Sequence, residues 1–119
     1  MKLDLKEPPR KFRVGQNDQI EISDCGDIEL KPNEQVTFVT EESARFDFAR
    51  KDWGFYVTPS INGRLKREGF KTALVENKKG QIYVMAVENT KFSEFEKYCH
   101  EEKQTVLEWL DERKERNDC

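Results

Sequence analysis

Apolar and polar positions alternate with a period of two along much of the chain. Phe12 and Val14 alternate with Lys11 and Arg13, Ile20 and Ile22 with Glu21 and Ser23, and Ile28 and Leu30 with Glu29 and Lys31, while Val36 and Phe38 flank Thr37. One apolar face per run predicts half-buried antiparallel strands. The joints carry turn chemistry: Gly15-Gln16-Asn17-Asp18, Asp24-Cys25-Gly26-Asp27 and Lys31-Pro32-Asn33-Glu34. Pro32 suits the second position of a type I turn. Short strands joined this way read as a meander or the start of a roll.

Alternation resumes at Arg45–Arg50, with Phe46 and Phe48 on one face and Arg45, Asp47 and Ala49 on the other; Trp53–Val57 follows as an aromatic strand. Residues 58–69 are a loop by composition, with Asn62-Gly63 as a tight-turn dipeptide. Phe70–Glu76 and Gln81–Glu88, joined by Asn77-Lys78-Lys79-Gly80, form the clearest hairpin. The nearly continuous apolar stretch Ile82–Val87 predicts a central strand covered on both faces.

Beyond it the period changes. Ser93 and Glu96 have capping-box spacing, and Phe92, Phe95, Cys99, Val106 and Leu110 fall on one helical stripe, widened by Tyr98 and Trp109. This predicts a helix from Ser93 to Arg113. Lys103 interrupts the stripe, either by snorkelling or by a kink between Cys99 and Lys103. Arg113, Lys114 and Arg116 complement the dipole at its end. The expected fold is α+β: a mainly antiparallel β-roll or sandwich of about seven or eight short strands closed by a C-terminal helix, with a compact jelly roll as the alternative. Its parts are an irregular arm at 1–9 ending in Pro8-Pro9, a β-rich body at 10–88 and the helix at 91–116, all in one domain.

Composition narrows the class. Charged residues make up 38% of the 119 and hydrophobic ones 35%, but 8 Phe, 3 Tyr and 2 Trp are too many aromatics for a disordered chain. Net charge is -3, which argues against a nucleic-acid partner. The charge is uneven: residues 43–72 carry 7 basic and 3 acidic side chains, whereas 1–42 carry 6 and 10. Three cysteines at long spacings, with no CxxC and one histidine, support neither a zinc site nor a disulfide framework; no metal or other cofactor is implied. Without an apolar leader or spanning segment, the expected setting is cytoplasmic, with no membrane insertion.

The run from Arg50 to Arg67 concentrates aromatics, hydroxyls, an amide and five basic residues. Arg64 is suited to a bidentate grip on phosphate or carboxylate, with Lys66 and Arg67 adding charge. Trp53 and Tyr56 can stack on a sugar or base, and Ser60 and Asn62 can read hydroxyls. The plainer alternative makes Trp53 and Phe55 core residues, Asn62-Gly63 a turn and the basic side chains solvated. His100 has no placed partner for acid–base work, Cys25 lies in a turn between Asp24 and Asp27 and is not expected to act as a nucleophile, and Glu41-Glu42 and Glu101-Glu102 read as solvated pairs. Phosphate-loop, dinucleotide, metalloprotease and serine-hydrolase motifs are missing.

The segment Asp52-Trp53-Gly54-Phe55-Tyr56-Val57-Thr58-Pro59-Ser60-Ile61-Asn62-Gly63-Arg64-Leu65, with Pro32-x-Glu34-Gln35-Val36-Thr37-Phe38, Ala73-Leu74-Val75 and Tyr83-Val84-Met85, resembles a family of small uncharacterised bacterial proteins. That family is associated with surface-polysaccharide or nucleotide-sugar biosynthesis. The resemblance covers residues 10–88 and, more loosely, the predicted C-terminal helix, and implies an accessory role near glycan assembly; it supplies no catalytic residue. Two functional readings follow. The first is a binding or accessory protein that recognises an anionic sugar, a nucleotide-sugar or a partner enzyme through the loop 50–67. The alternative is a metal-free sugar isomerase, epimerase or lyase, with Asp47 or Asp52 as base and Tyr56 as acid. A homodimer paired through the aromatic strand is the third possibility.

Overall fold

A computed structural model describes residues 1–113. Its elements are β1 (Lys2–Val14), β2 (Ile20–Glu29), β3 (Gln35–Val39), β4 (Arg45–Lys51), β5 (Gly54–Val57), α1 (Arg64–Arg67), β6 (Phe70–Glu76), β7 (Ile82–Glu88), α2 (Phe92–Glu101) and β8 (Thr105–Trp109). Three antiparallel sheets, ordered β1-β2, β3-β4-β5 and β7-β6-β8, make the fold α+β and strand-rich. Their hairpins and neighbour pairings are not those of a jelly roll. The chain divides into two compact units: Met1–Phe38 with Asp47–Thr58, and Val39–Phe46 with the chain from Pro59 onward.

In the first unit, residues 2–9 are a strand rather than an irregular arm. Leu3 and Leu5 alternate with Lys2, Asp4 and Lys6, and Leu3 pairs with Ile28. Pro8 and Pro9 sit where the pairing shifts between Leu5 and Arg10, so their missing amides break no ladder. The expected turn at 24–27 is likewise part of β2, which runs unbroken to Glu29. Gly26 allows this: its φ is 142°, and a Cβ there would collide with the Asp4 carbonyl. Much of the chain's charge lies across this hairpin. Lys6 faces Asp24 and Asp27, Arg10 faces Asp24, and Lys11 and Arg13 share Glu21 at 3.5 and 3.2 Å. The Pro32 turn is also revised, because Asn33 has φ 68°, the left-handed third position of a type II turn.

The two faces of β4 divide as the alternation predicts. Asp47 and Ala49 are buried, whereas Phe46 and Phe48 are half-buried. Asp47 accepts a hydrogen bond from the Thr37 hydroxyl at 2.6 Å, which compensates part of its desolvation. Phe48 packs edge-on against Phe38, with ring centroids 5.7 Å apart.

The second unit has its core in Leu65, Phe70, Ala73, Val75 and Val87. The hairpin β6–β7 pairs as the sequence predicts, Phe70 with Glu88 through Glu76 with Ile82, but β6 is the central strand and β7 an edge. Its apolar run is thus not covered on both faces; Ile82, Tyr83 and Val84 are exposed. Residues 58–69 contain the single-turn helix α1, which carries the fully buried Leu65.

The long terminal helix is corrected as well. α2 ends at Glu101, the chain reverses through Lys103 at φ 54°, and β8 returns to pair with β6. The Gln104 amide reaches the Cys99 carbonyl at 2.8 Å, a left-handed helix stop made without glycine. Ser93 donates to Glu94 instead of capping the helix. Phe92 and Phe95 close over Trp109 at centroid distances of 5.6 and 5.8 Å. Arg113 pairs with Glu108 at 2.9 Å; Lys114, Arg116 and Cys119 lie outside the described residues.

Candidate ligand cleft

The hairpin β4–β5 turns at Asp52-Trp53, with Lys51 opposite Gly54. Gly54 has φ 144°, a value side chains disfavour, and no neighbouring atom crowds it. Backbone geometry therefore selects glycine here and holds the preceding Trp53 clear of the sheet. Trp53 is 72% exposed and Phe55 63% exposed, so neither is the core residue that the plainer reading expected. Tyr56 backs Trp53 in a near-parallel stack, with centroids 6.1 Å apart and planes at 28°.

Against this aromatic turn lies the end of β2 and the strand-to-turn segment after it. Together they enclose an open cleft of about 780 Å³ lined by Asp27, Glu29, Leu30, Lys31, Arg50, Asp52, Trp53 and Phe55 among others. The cleft belongs wholly to the first unit. Its walls are tied together below. The Arg50 guanidinium donates to the Leu30 carbonyl at 3.3 Å, Asn33 N–H to the Arg50 carbonyl at 2.7 Å, and Arg50 N–H to the Glu34 carbonyl at 2.9 Å. Lys51 reaches the Asn33 side chain at 2.6 Å. Glu34 accepts from the Lys31 amide at 2.7 Å, the leading cause that holds its carboxyl below the ordinary range. The rim combines three carboxylates (Asp27, Glu29 and Asp52) with two cations (Lys31 and Arg50).

No family model, curated protein or solved structure matches the chain.

The candidate residues therefore divide. Asp52 and Trp53 line the cleft, while Tyr56 supports Trp53 from behind without lining it. Asp47 is buried against Thr37 and does not line the cleft. Ser60, Asn62, Arg64, Lys66 and Arg67 belong to the second unit. There the Ser60 hydroxyl accepts the Arg64 amide at 3.3 Å, and Arg64 pairs with Glu68 at 3.0 Å. Asn62, Lys66 and Arg67 are exposed around α1. The basic surplus of 43–72 is thus shared between two units.

The sequence reading missed Asp27, Glu29, Lys31 and Phe55 as lining residues and gave Arg50 no role. The Pro32-Asn33 turn, by hydrogen-bonding to β4, and the Arg50 guanidinium, by donating to the Leu30 carbonyl, bring 27–31 opposite 50–55. A smaller groove of about 280 Å³ lies in the second unit among Phe92, Phe95, Glu96, Cys99, Val106 and Trp109. Burial, and then the Glu96 charge, push the Cys99 thiol up, away from nucleophilic character. His100 is exposed on α2, and Glu102 is buried rather than solvated.

Proposed function

We propose that this chain is a non-catalytic binding module that holds a sugar-bearing anionic ligand, such as a nucleotide-sugar, in the cleft of its first unit. The observation that carries this reading is Trp53: a large apolar ring held open to solvent by a glycine-dependent turn, backed by Tyr56 and flanked by Phe55. An exposed aromatic of this kind gains when a sugar or base covers it. Lys31 and Arg50 offer charge-assisted donors for a phosphate or carboxylate, and Asp27, Glu29 and Asp52 accept from sugar hydroxyls. Binding is favoured over isomerase or lyase chemistry because Tyr56 stacks behind Trp53 instead of facing Asp52 across the cleft. The resemblance to proteins associated with glycan assembly fits a cytoplasmic accessory role.

Isothermal titration calorimetry with a nucleotide-sugar, a sugar phosphate and a neutral oligosaccharide tests the reading. The anionic ligands are expected to bind, with Trp53→Ala weakening them about tenfold or more and Arg50→Ala removing the preference for the anionic forms. Arg64→Ala reports separately on the basic turn of the second unit. Binding that ignores Trp53→Ala, or no binding in any of the three titrations, sinks the proposal.

A further inference from the structure

We infer that the free edge of β7 is a self-pairing surface on which a second copy of this chain adds its own β7 in antiparallel alignment. Among the described residues, strand β7 pairs with β6 on one side only. Ile82 and Val84 are 55% and 69% exposed, and Ala86 follows them on the same face; Val84 pairs with Leu74 of β6 and Ala86 with Thr72. From Ile82 to Val87 the strand contains no charge and no proline. Its pairing with β6 is continuous, without a bulge. Charges, prolines and bulges are the devices by which edge strands avoid pairing.

Other described edges carry such devices or are shorter. Strands β1 and β2 are studded with charges, and β1 holds Pro8-Pro9 at its shift. Strand β8 pairs irregularly with β6 opposite Leu74 and Val75 and carries Glu108. Strand β3 has five residues and β5 only four, which favours β7 over the aromatic strand as the pairing element.

Charge selects both the partner and the direction. Antiparallel pairing centred on Val84 sets Val84 against itself, Ile82 against Ala86 and Tyr83 against Met85, each on a common face. The same alignment brings Glu88 of each copy opposite Gly80 and beside Lys79 in the Lys78-Lys79 turn of the other, giving two symmetric ion pairs. Parallel pairing would instead bring the two lysine turns together. The exposed Ile82, Val84 and Ala86 of both copies then form one apolar strip, and the outer backbone groups of β7 gain partners.

Sedimentation equilibrium over a wide concentration range is the test. Wild type is expected to reach twice the 14.1 kDa monomer mass. Val84→Lys, at an exposed position, should weaken association about tenfold or more. Glu88→Lys should weaken it several-fold at low salt, and Glu88→Lys with Lys79→Glu should restore it. Concentration-dependent slowing of amide exchange within 82–88 should accompany the dimer. A wild type that stays monomeric overturns the proposal, as does a dimer indifferent to both Val84→Lys and the charge reversal. If circular dichroism shows Val84→Lys misfolded, the single and double charge reversals decide the matter. Association only with a different protein at this edge also overturns it.

Discussion

Replacing each tryptophan by alanine separates a binding surface from a core. The Trp53 side chain is 72% exposed, so it buries about a quarter of a surface of roughly 250 Å². At about 25 cal/mol per Å², losing that burial costs at most about 1.7 kcal/mol. Trp109 is different: it meets Phe92 and Phe95, and the Lys71 ammonium lies 4.9 Å from its ring centroid. Trp109→Ala therefore removes the ring on which three side chains rest, a loss of about 3–5 kcal/mol. For a chain of this size each kcal/mol moves the midpoint by about 4 °C. The melting temperature should then fall by no more than about 7 °C for Trp53→Ala and by about 12–20 °C for Trp109→Ala. Thermal and urea unfolding followed by far-ultraviolet circular dichroism read both variants without relying on the deleted fluorophore. Equal losses, or a larger one for Trp53→Ala, would falsify the placement of Trp53 on the surface. With so small a loss Trp53→Ala is expected to stay folded, so weaker calorimetric binding in that variant reports on the cleft itself.

Gly26→Ala should destabilise the β1–β2 hairpin by about 1–3 kcal/mol, because the new Cβ strikes the Asp4 carbonyl at a φ that side chains disfavour; faster amide exchange confined to 2–29 is the expected reading. Cys99 should alkylate more slowly than the exposed Cys25 at mildly alkaline pH, since burial raises its thiol; peptide mapping after timed iodoacetamide treatment checks this. Lys71 is held above the ordinary lysine range, first by its hydrogen bond to Glu112 and also by the Asp111 charge. A raised folded pKa gives stability that is complete below the unfolded value and lost as pH climbs through the folded one. Lys71→Met should thus be less stable than wild type at neutral pH, and the gap should narrow in strongly alkaline urea titrations.

Strand identity was largely legible, because a period of two survives wherever one face is packed. The β6–β7 hairpin emerged with its turn intact, since Asn77 and Gly80 carry local turn chemistry that owes little to the rest of the chain. What each face packs against was not legible. Ile82–Val87 reads as a buried central strand, yet it is an edge, because the partner that takes the centre of the sheet is set by the return of β8. The cleft was half legible for the same reason. Trp53 and Asp52 stand out in their own segment, whereas Lys31 and Glu29 reach the site through bonds made far along the chain, between the Pro32-Asn33 turn and the Arg50 backbone and between Leu30 and the Arg50 guanidinium.

The misread helix shows where local pattern and tertiary structure part. Val106 and Leu110 continue the stripe of Phe95 and Cys99 at helical spacing, so periodicity alone extends the helix to Arg113. Part of that stretch also fits a strand, Thr105–Trp109: Val106 pairs with Val75, and Trp109 pairs with Ala73. Lys103 was the visible inconsistency, a cation in the centre of an apolar stripe. Snorkelling keeps the helix and a kink between Cys99 and Lys103 breaks it; the structure ends the helix within that interval, at Glu101, and reverses the chain. A left-handed lysine costs about 1–2 kcal/mol over glycine, and no local signal favours it. The gain comes from Trp109, which after the reversal lies under Phe92 and Phe95 and beside Lys71. A continuous helix would carry Trp109 roughly 20 Å along its axis from Phe95, at 1.5 Å per residue, and leave all three without their shared partner. The strained turn persists because the packing beyond it outweighs its cost.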